Sequence, residues 1–122
     1  MATPAPDPRD ADRYFVRADP GAARPLLRGV ALRAVAGDAL MISVVTFEPG
    51  AVVPDHAHPH EQMGILLSGR LEFTVGGRTE TLDPGDIWRI PGGIPHHAVA
   101  VGGPAVALDV FHPVREDYRQ EG

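Results

Sequence analysis

The sequence predicts a single all-β domain, an antiparallel sandwich or barrel of nine or ten short strands. Short runs rich in β-branched residues recur along the chain at a spacing of roughly 8–12 residues. The 14 glycines and 13 prolines stand between these runs, where they favour tight turns. No window carries the sustained apolar period of ~3.6 residues that an amphipathic helix needs. A length of 122 residues suits one hydrophobic core and is too short for two.

The predicted elements follow a proline-rich lead-in, residues 1–13, which we expect to be flexible, so that the domain occupies residues 14–122. Tyr14–Val16 could form a first strand. The other predicted strands are 29–37, 39–50, 51–58, 63–69, 70–77, 78–82, 87–90, 96–101 and 105–111. We expect strands 63–69 and 70–77 to form a hairpin about Ser68-Gly69, and Gly76-Gly77 to turn the next pair. Only the tail, 115–122, could turn a short helix.

Composition excludes several classes of function. The chain has no cysteine, which removes disulfides, thiolate nucleophiles and thiolate metal sites. All 11 basic residues are arginine, so lysine chemistry is also excluded. The net charge of −5 and the absence of a basic run argue against nucleic acid or an anionic membrane as a partner, and a small-molecule substrate is expected instead. No apolar signal segment precedes the domain, so we expect a cytoplasmic protein.

Histidines are concentrated in the stretch PDHAHPHEQMG, residues 54–64. His56 and His58 are two apart, so on a strand their side chains leave the same face and can converge on one ion. Gln62 shares that face if the bend at Pro59 preserves the alternation, whereas a shift by one residue would present Glu61 instead.

A second cluster, PGGIPHHAV, begins at Pro91. His96 and His97 are adjacent, so only one of them can point inward from a strand. The glycines and Pro95 shape a sharp entry that delivers His96 as the first side chain of its strand. Three imidazoles and one oxygen donor make a sensible ligand set for a divalent first-row metal, and the predicted ligands are therefore His56, His58, Gln62 and His96.

The spacing of these residues resembles the two motifs of the cupin superfamily. The matching positions are Gly50, His56, His58, Gln62 and Gly69, followed by Gly85, Pro91, Gly93 and His96. The resemblance implies a double-stranded β-helix, a small jelly roll that holds a metal inside its barrel. The chain departs from the pattern at Gln62, where the superfamily usually has glutamate, and at Ala100, where it usually has asparagine.

The segment DVFHPVREDY, from Asp109, resembles more closely the cupins of pectin and alginate breakdown that ketonise 4,5-unsaturated uronates. Their D-x-F-x3-R pattern falls on Asp109, Phe111 and Arg115. The resemblance implies that Asp109 is the acid/base and that Arg115 holds a substrate carboxylate. Asp109 also stands in an apolar run, where burial should raise its pKa.

The remaining candidates are assigned to the pocket or the surface. Phe111, Trp88 and His60 are expected to form the pocket wall or rim, while His97 and His112 are expected at the rim or surface.

A neutral glutamine would leave a divalent ion with a net charge of about +2, against about +1 with glutamate, and so favours Lewis-acid chemistry on anionic substrates.

We therefore predict a metal-dependent enzyme of keto–enol isomerisation, most like uronate ketonisation. A polyketide cyclase, a dioxygenase and a non-catalytic ligand-binding or metal-binding cupin remain alternatives. The metal could be zinc, nickel, iron, manganese or copper, because ligand type does not choose among them. A homodimer is expected, formed through the N-terminal strand or an outer sheet face.

Overall fold

A computed structural model describes residues 14–119 of the chain. The ten strands of this part are β1 (Arg24–Leu27), β2 (Val30–Ala36), β3 (Met41–Phe47), β4 (Val52–His56), β5 (Glu61–Ser68), β6 (Leu71–Val75), β7 (Arg78–Leu82), β8 (Ile87–Ile90), β9 (His96–Ala100) and β10 (Ala105–His112). Two short 3-10 helices lie at Pro20–Ala22 and Glu116–Tyr118. No helix in this part of the chain is long and apolar enough to cross a membrane.

The strands form two antiparallel sheets. The six-stranded sheet has the order β1-β2-β3-β10-β5-β8, and the four-stranded sheet has the order β4-β9-β6-β7. Alternate residues of most strands face the space between the sheets, where Leu32, Met41, Leu66 and Leu71 are almost completely buried. The chain repeatedly crosses from one sheet to the other, as in a jelly roll. The predicted all-β fold is thus confirmed.

The turn at Gly76-Gly77 is confirmed as the hairpin between β6 and β7. Val75 pairs with Arg78, and both glycines have positive φ values, 57° and 84°. Two consecutive residues in this region suit a type I′ turn, which glycine adopts without steric cost. The predicted short helix in the tail is also confirmed, as the 3-10 helix at Glu116–Tyr118.

The hairpin expected about Ser68-Gly69 is wrong. β5 belongs to the six-stranded sheet and β6 to the four-stranded sheet, so the chain changes sheets at this turn. Gly69 has a φ of 81°, and a Cβ there would lie 2.2 Å from the carbonyl oxygen of Pro104. Short-range turn signals do not tell a hairpin from a crossing between sheets, because both need the same glycine chemistry.

Three further expectations concern the N-terminal part. Tyr14–Val16 is not a strand in this chain, and its side chains are exposed. The edge strand β1 was not predicted, because its four residues, Arg24–Leu27, include a proline and lack the alternating pattern of a strand. The lead-in at 1–13 lies outside the described residues.

The site is positioned by the meeting of the two sheets. His56 of β4 pairs directly with His96 of β9 in the four-stranded sheet. In the six-stranded sheet, Asp109 of β10 pairs with Gly64 of β5, and Gly64 pairs with Trp88 of β8. The inward faces of these strands therefore bring the polar residues of both sheets to one end of the core.

Candidate metal centre

Three histidines converge at the inner end of the four-stranded sheet. His56 and His96 face each other across β4 and β9, and His58 follows two residues after His56. Their ligand nitrogens all lie within 4.8 Å of one another. The structure thus brings together the three histidines chosen from the sequence, and these residues could hold a metal ion.

The three rings are oriented by backbone carbonyls. Nδ1 of His56 lies 2.9 Å from the carbonyl oxygen of Pro54. The corresponding distances are 3.1 Å from His58 to His60 and 2.8 Å from His96 to Ile94. A carbonyl oxygen can only accept, so Nδ1 carries the proton in each ring and the lone pair lies on Nε2. Such bonds to the second nitrogen commonly orient metal-ligating histidines. Nε2 of His96 is buried and has no hydrogen-bond partner among residues 14–119.

Burial keeps two of the rings neutral. It lowers the pKa of His96 to about 4, an effect to which the neighbouring His56, His58 and Arg115 also contribute. Burial likewise lowers the pKa of His58, together with the charge of Arg115. Neutral imidazole is the form that binds metals, so both rings are ready to act as ligands at neutral pH.

Gln62 lies between the histidines and Asp109. Its Oε1 is 3.0 Å from Nε2 of His58, and its Nε2 donates to Oδ1 of Asp109 over 2.9 Å. The carboxylate fixes the orientation of the amide, because turning it over would set two acceptor oxygens against each other. The amide oxygen and the lone pair of His58 therefore face each other, both acceptors, and a cation between them would satisfy both. The site fits a metal ion on this ground.

Gln62 rather than Glu61 points into the site. Gln62 is 6% exposed, whereas Glu61 faces solvent on the other side of β5. The alternation therefore holds across Pro59, and the residues fit a centre of three nitrogens and one oxygen.

Asp109 is buried beside this centre. Its Oδ1 accepts hydrogen bonds from Nε2 of Gln62, at 2.9 Å, and from Nε1 of Trp88, at 2.7 Å. Burial raises the pKa of Asp109 to about 6, although both hydrogen bonds and the charge of Arg115 act in the opposite direction. The upward direction is the one predicted from the apolar run, and it places the carboxyl where it can both give and take a proton near neutral pH.

Arg115 is also buried, but it already has an acidic partner. Its Nε and Nη2 donate to the two carboxylate oxygens of Asp117, over 3.2 and 2.7 Å. The guanidinium lies 3.8 Å from the ring centroid of Tyr118 and 5.3 Å from that of Phe111. Sequence reasoning missed Asp117 and Tyr118, because the run REDYR resembles a solvated tail.

One cavity connects most of these side chains. It is lined by His56, Gln62, Trp88, His96, Asp109, Phe111, Arg115 and Tyr118, among others. His60 is absent from the lining and packs against His58 instead, with ring centroids 5.4 Å apart. His97 reaches the rim, where its Nδ1 lies 3.4 Å from Asp55, and His112 is exposed.

Comparison with known proteins agrees with this geometry. The family model described as Cupin domain matches residues 43–111, more than half of the chain. The chain belongs to the cupin family. The match runs from β3 to β10 and so includes both histidine clusters and Asp109.

Two solved cupin structures are similar over most of their length. KdgF from Halomonas sp. is 32% identical, with a TM-score of 0.76, over 80% of this cupin and 90% of that chain. An RmlC-like cupin from Shewanella frigidimarina is 28% identical, also with a TM-score of 0.76, over 80% of this cupin and 87% of that chain. This cupin is therefore a small cupin that resembles KdgF.

A curated relative is similar over a shorter region. The dimethylsulfoniopropionate lyase DddQ of Ruegeria pomeroyi is 36% identical over 74 residues, which cover 60% of this cupin. The match spans only 37% of the length of that relative.

Proposed function

We propose that this cupin is a metal-dependent enzyme that ketonises 4,5-unsaturated uronates by Lewis-acid-assisted keto–enol isomerisation. One observation supports the proposal above all: a buried carboxyl, Asp109, is linked through the amide of Gln62 to the histidine cluster. A proton-transfer group and an electrophilic centre therefore share one cavity, as isomerisation next to a carbonyl requires.

The ligands in this proposal are His56, His58, His96 and Oε1 of Gln62, which would hold a divalent transition metal. When bound, such an ion would supply Lewis acidity toward an oxygen of the substrate. All four ligands are neutral, so the ion's charge would be undiminished and would favour an anionic substrate. The ligand set suits zinc, nickel, iron, manganese or copper.

The reaction moves one proton within the substrate. The anomeric hydroxyl loses its proton and becomes the C1 aldehyde, while the C1–O5 bond breaks and its electrons form the C5 ketone. The C4=C5 electron pair takes up a proton at C4, so that the product is an isomer of the substrate. Asp109 would give its proton to C4 and regain one from the hydroxyl, which a pKa of about 6 allows near neutral pH.

Arg115 would bind the substrate carboxylate. Asp117 occupies the guanidinium edge formed by Nε and Nη2, so a substrate would use the edge formed by Nη1 and Nη2. The contacts with Asp117 and Tyr118 would hold the guanidinium in place before the substrate arrives. Arg115 is only 8% exposed, and this burial strengthens its interaction with an anion.

The similarity to the dimethylsulfoniopropionate lyase DddQ favours a second candidate, a lyase reaction on that substrate. The same buried Asp109 would serve as the base. A polyketide cyclase, a dioxygenase and a non-catalytic cupin have no comparable observation in their favour.

A substrate comparison tests the proposal. The purified cupin, with its metal content measured, is incubated separately with a 4,5-unsaturated uronate and with dimethylsulfoniopropionate. We expect loss of the ultraviolet absorbance of the C4=C5 bond only in the first reaction, with the ketonised product visible by NMR. Turnover of dimethylsulfoniopropionate alone would support the lyase, and turnover of neither by metal-loaded protein would support a binding role.

We also propose that this cupin is a homodimer in the cytoplasm. The outer face of the six-stranded sheet is apolar across four neighbouring strands, β3, β10, β5 and β8. Its exposed side chains include Ile42, Met63, Leu67 and Ile87, with Leu108 and Val110 half-buried between them. Exposed apolar side chains grouped on one face commonly mark an interaction surface. A second copy is the partner we assign to it, because a twofold axis lets one apolar face cover itself.

Light scattering checks the dimer. Leu108 lies in the middle of this face, opposite Val44 on one side and Ile65 on the other. We expect wild-type protein to have the mass of two chains and Leu108→Glu to have the mass of one, because the dimer would bury the new charge. Thr81→Glu, on the exposed strand β7 of the other sheet, should leave the dimer intact. A monomeric wild-type protein would refute the dimer.

A further inference from the structure

Trp88, Gly64 and Asp109 lie side by side on three neighbouring strands of the six-stranded sheet. Trp88 of β8 pairs with Gly64 of β5, which in turn pairs with Asp109 of β10. All three positions face inward. Neighbouring strands are about 4.8 Å apart, so Trp88 and Asp109 lie on strands roughly 10 Å apart and are separated by a glycine.

Gly64 leaves open the space that the indole of Trp88 fills. A Cβ at Gly64 would lie 2.3 Å from Cε2 and Nε1 of the indole and 2.5 Å from Oδ1 of Asp109. Any larger residue would therefore displace the ring or the carboxyl. Phe73, from the opposite sheet, packs against the same indole with ring centroids 4.8 Å apart. The indole is thus enclosed between Phe73 and the bare backbone of Gly64.

This packing directs the indole N–H at one particular oxygen. Nε1 of Trp88 donates to Oδ1 of Asp109 over 2.7 Å, and Nε2 of Gln62 donates to the same atom. Within residues 14–119, no hydrogen bond is formed by Oδ2 of Asp109. An oxygen that accepts two N–H groups is a poor place for a proton, so the proton of the neutral carboxyl belongs on Oδ2.

We infer that Trp88 and Gly64 are positioning residues that hold Asp109 with Oδ2 as its proton-transferring atom, directed at the cavity. The part of this inference that concerns catalysis rests on the proposed function. Gln62 and Trp88 both hold Oδ1 by donating to it, which fixes the orientation of the carboxyl and leaves Oδ2 for proton transfer. Trp88 thereby acts through Asp109 and does not itself touch the reacting atoms.

The single tryptophan of the chain makes this arrangement measurable, because Trp88 gives the only indole N–H resonance in an ¹H–¹⁵N spectrum. In the full-length wild-type protein we expect this resonance far downfield, as for an N–H bound to a carboxylate. Both Gly64→Ala and Asp109→Asn should move it upfield. Gly37→Ala is the matched control, since a Cβ there would make only an ordinary contact, 3.5 Å from the carbonyl oxygen of Leu40.

Kinetics supply the second measurement. Trp88→Phe replaces the indole by a smaller aromatic ring without an N–H, so we expect kcat to fall on the order of 10- to 100-fold with KM nearly unchanged. Metal content should stay at the wild-type level. A purely structural role for Trp88 would instead lower the fraction of folded protein and leave the kcat of the folded fraction unaltered, which would contradict the inference.

The spectrum separates failure of the inference from failure of the proposed function. If the indole resonance moves as expected but no uronate is turned over, the positioning geometry stands and the reaction is wrong. If the resonance is the same in wild type, Gly64→Ala and Asp109→Asn, the indole does not bind this carboxyl and the inference is overturned, whatever the substrate.

Discussion

Asp109→Asn is expected to lower kcat on a 4,5-unsaturated uronate by roughly 100- to 10,000-fold, the range that general acid–base catalysis usually contributes. Asparagine is nearly the same size, and its Oδ1 can still accept the hydrogen bonds from Gln62 and Trp88. It cannot give or take a proton in the reaction. Steady-state kinetics on wild type and variant measure the effect.

The matched control is Asp83→Asn, which changes an exposed turn carboxylate that pairs with Arg70. We expect it to keep wild-type kcat, because an exposed pair of this kind contributes little to stability. Elemental analysis must show equal metal in all three proteins. Wild-type turnover by metal-loaded Asp109→Asn would refute the role given to Asp109.

His96→Ala is expected to weaken divalent-metal binding by at least about 100-fold, since even the loss of a group that only orients a ligand can have an effect of that size. His96 contributes a buried Nε2 that has no hydrogen-bond partner among residues 14–119. Isothermal titration calorimetry with the divalent ion, on protein first treated with a chelator, measures the change in metal affinity.

His97→Ala is the control for this experiment. It removes the next histidine along the same strand, whose ring turns away from the cluster toward Asp55. We expect its metal affinity to match wild type. Equal losses in His96→Ala and His97→Ala would show that the affinity does not come from the inward-facing cluster.

Much of the fold follows from local sequence. The alternation of β6 and the paired glycines at its end determine a hairpin by themselves, as observed at Gly76-Gly77. The alternation of side chains along a strand also favours Gln62 over Glu61 as the ligand, because a period of two residues decides which side chain faces the core. The raised pKa of Asp109 was foreseeable too, since a carboxyl in a buried apolar strand loses its hydration.

Other features depend on which strands become neighbours, which local sequence does not encode. The turn at Gly69 changes sheets rather than forming a hairpin, because the two strands that β5 pairs with, β8 and β10, begin only at Ile87 and Ala105, farther along the chain. The ion pair of Arg115 and Asp117 lies in a charged tail, and local sequence does not show that this guanidinium also packs on the ring of Tyr118. The contact of Trp88 with Asp109 across Gly64 requires the register of three strands.

The central claim, that a metal held by the histidine cluster is required for catalysis, is tested most directly by titrating chelator-treated wild-type protein with divalent ions. Turnover of an unsaturated uronate and the amount of bound metal are measured at each step. We predict that turnover is absent at the start and rises in proportion to bound metal, up to one ion per chain. Full turnover by the metal-free protein, or saturation with metal without any gain in turnover, would contradict the claim.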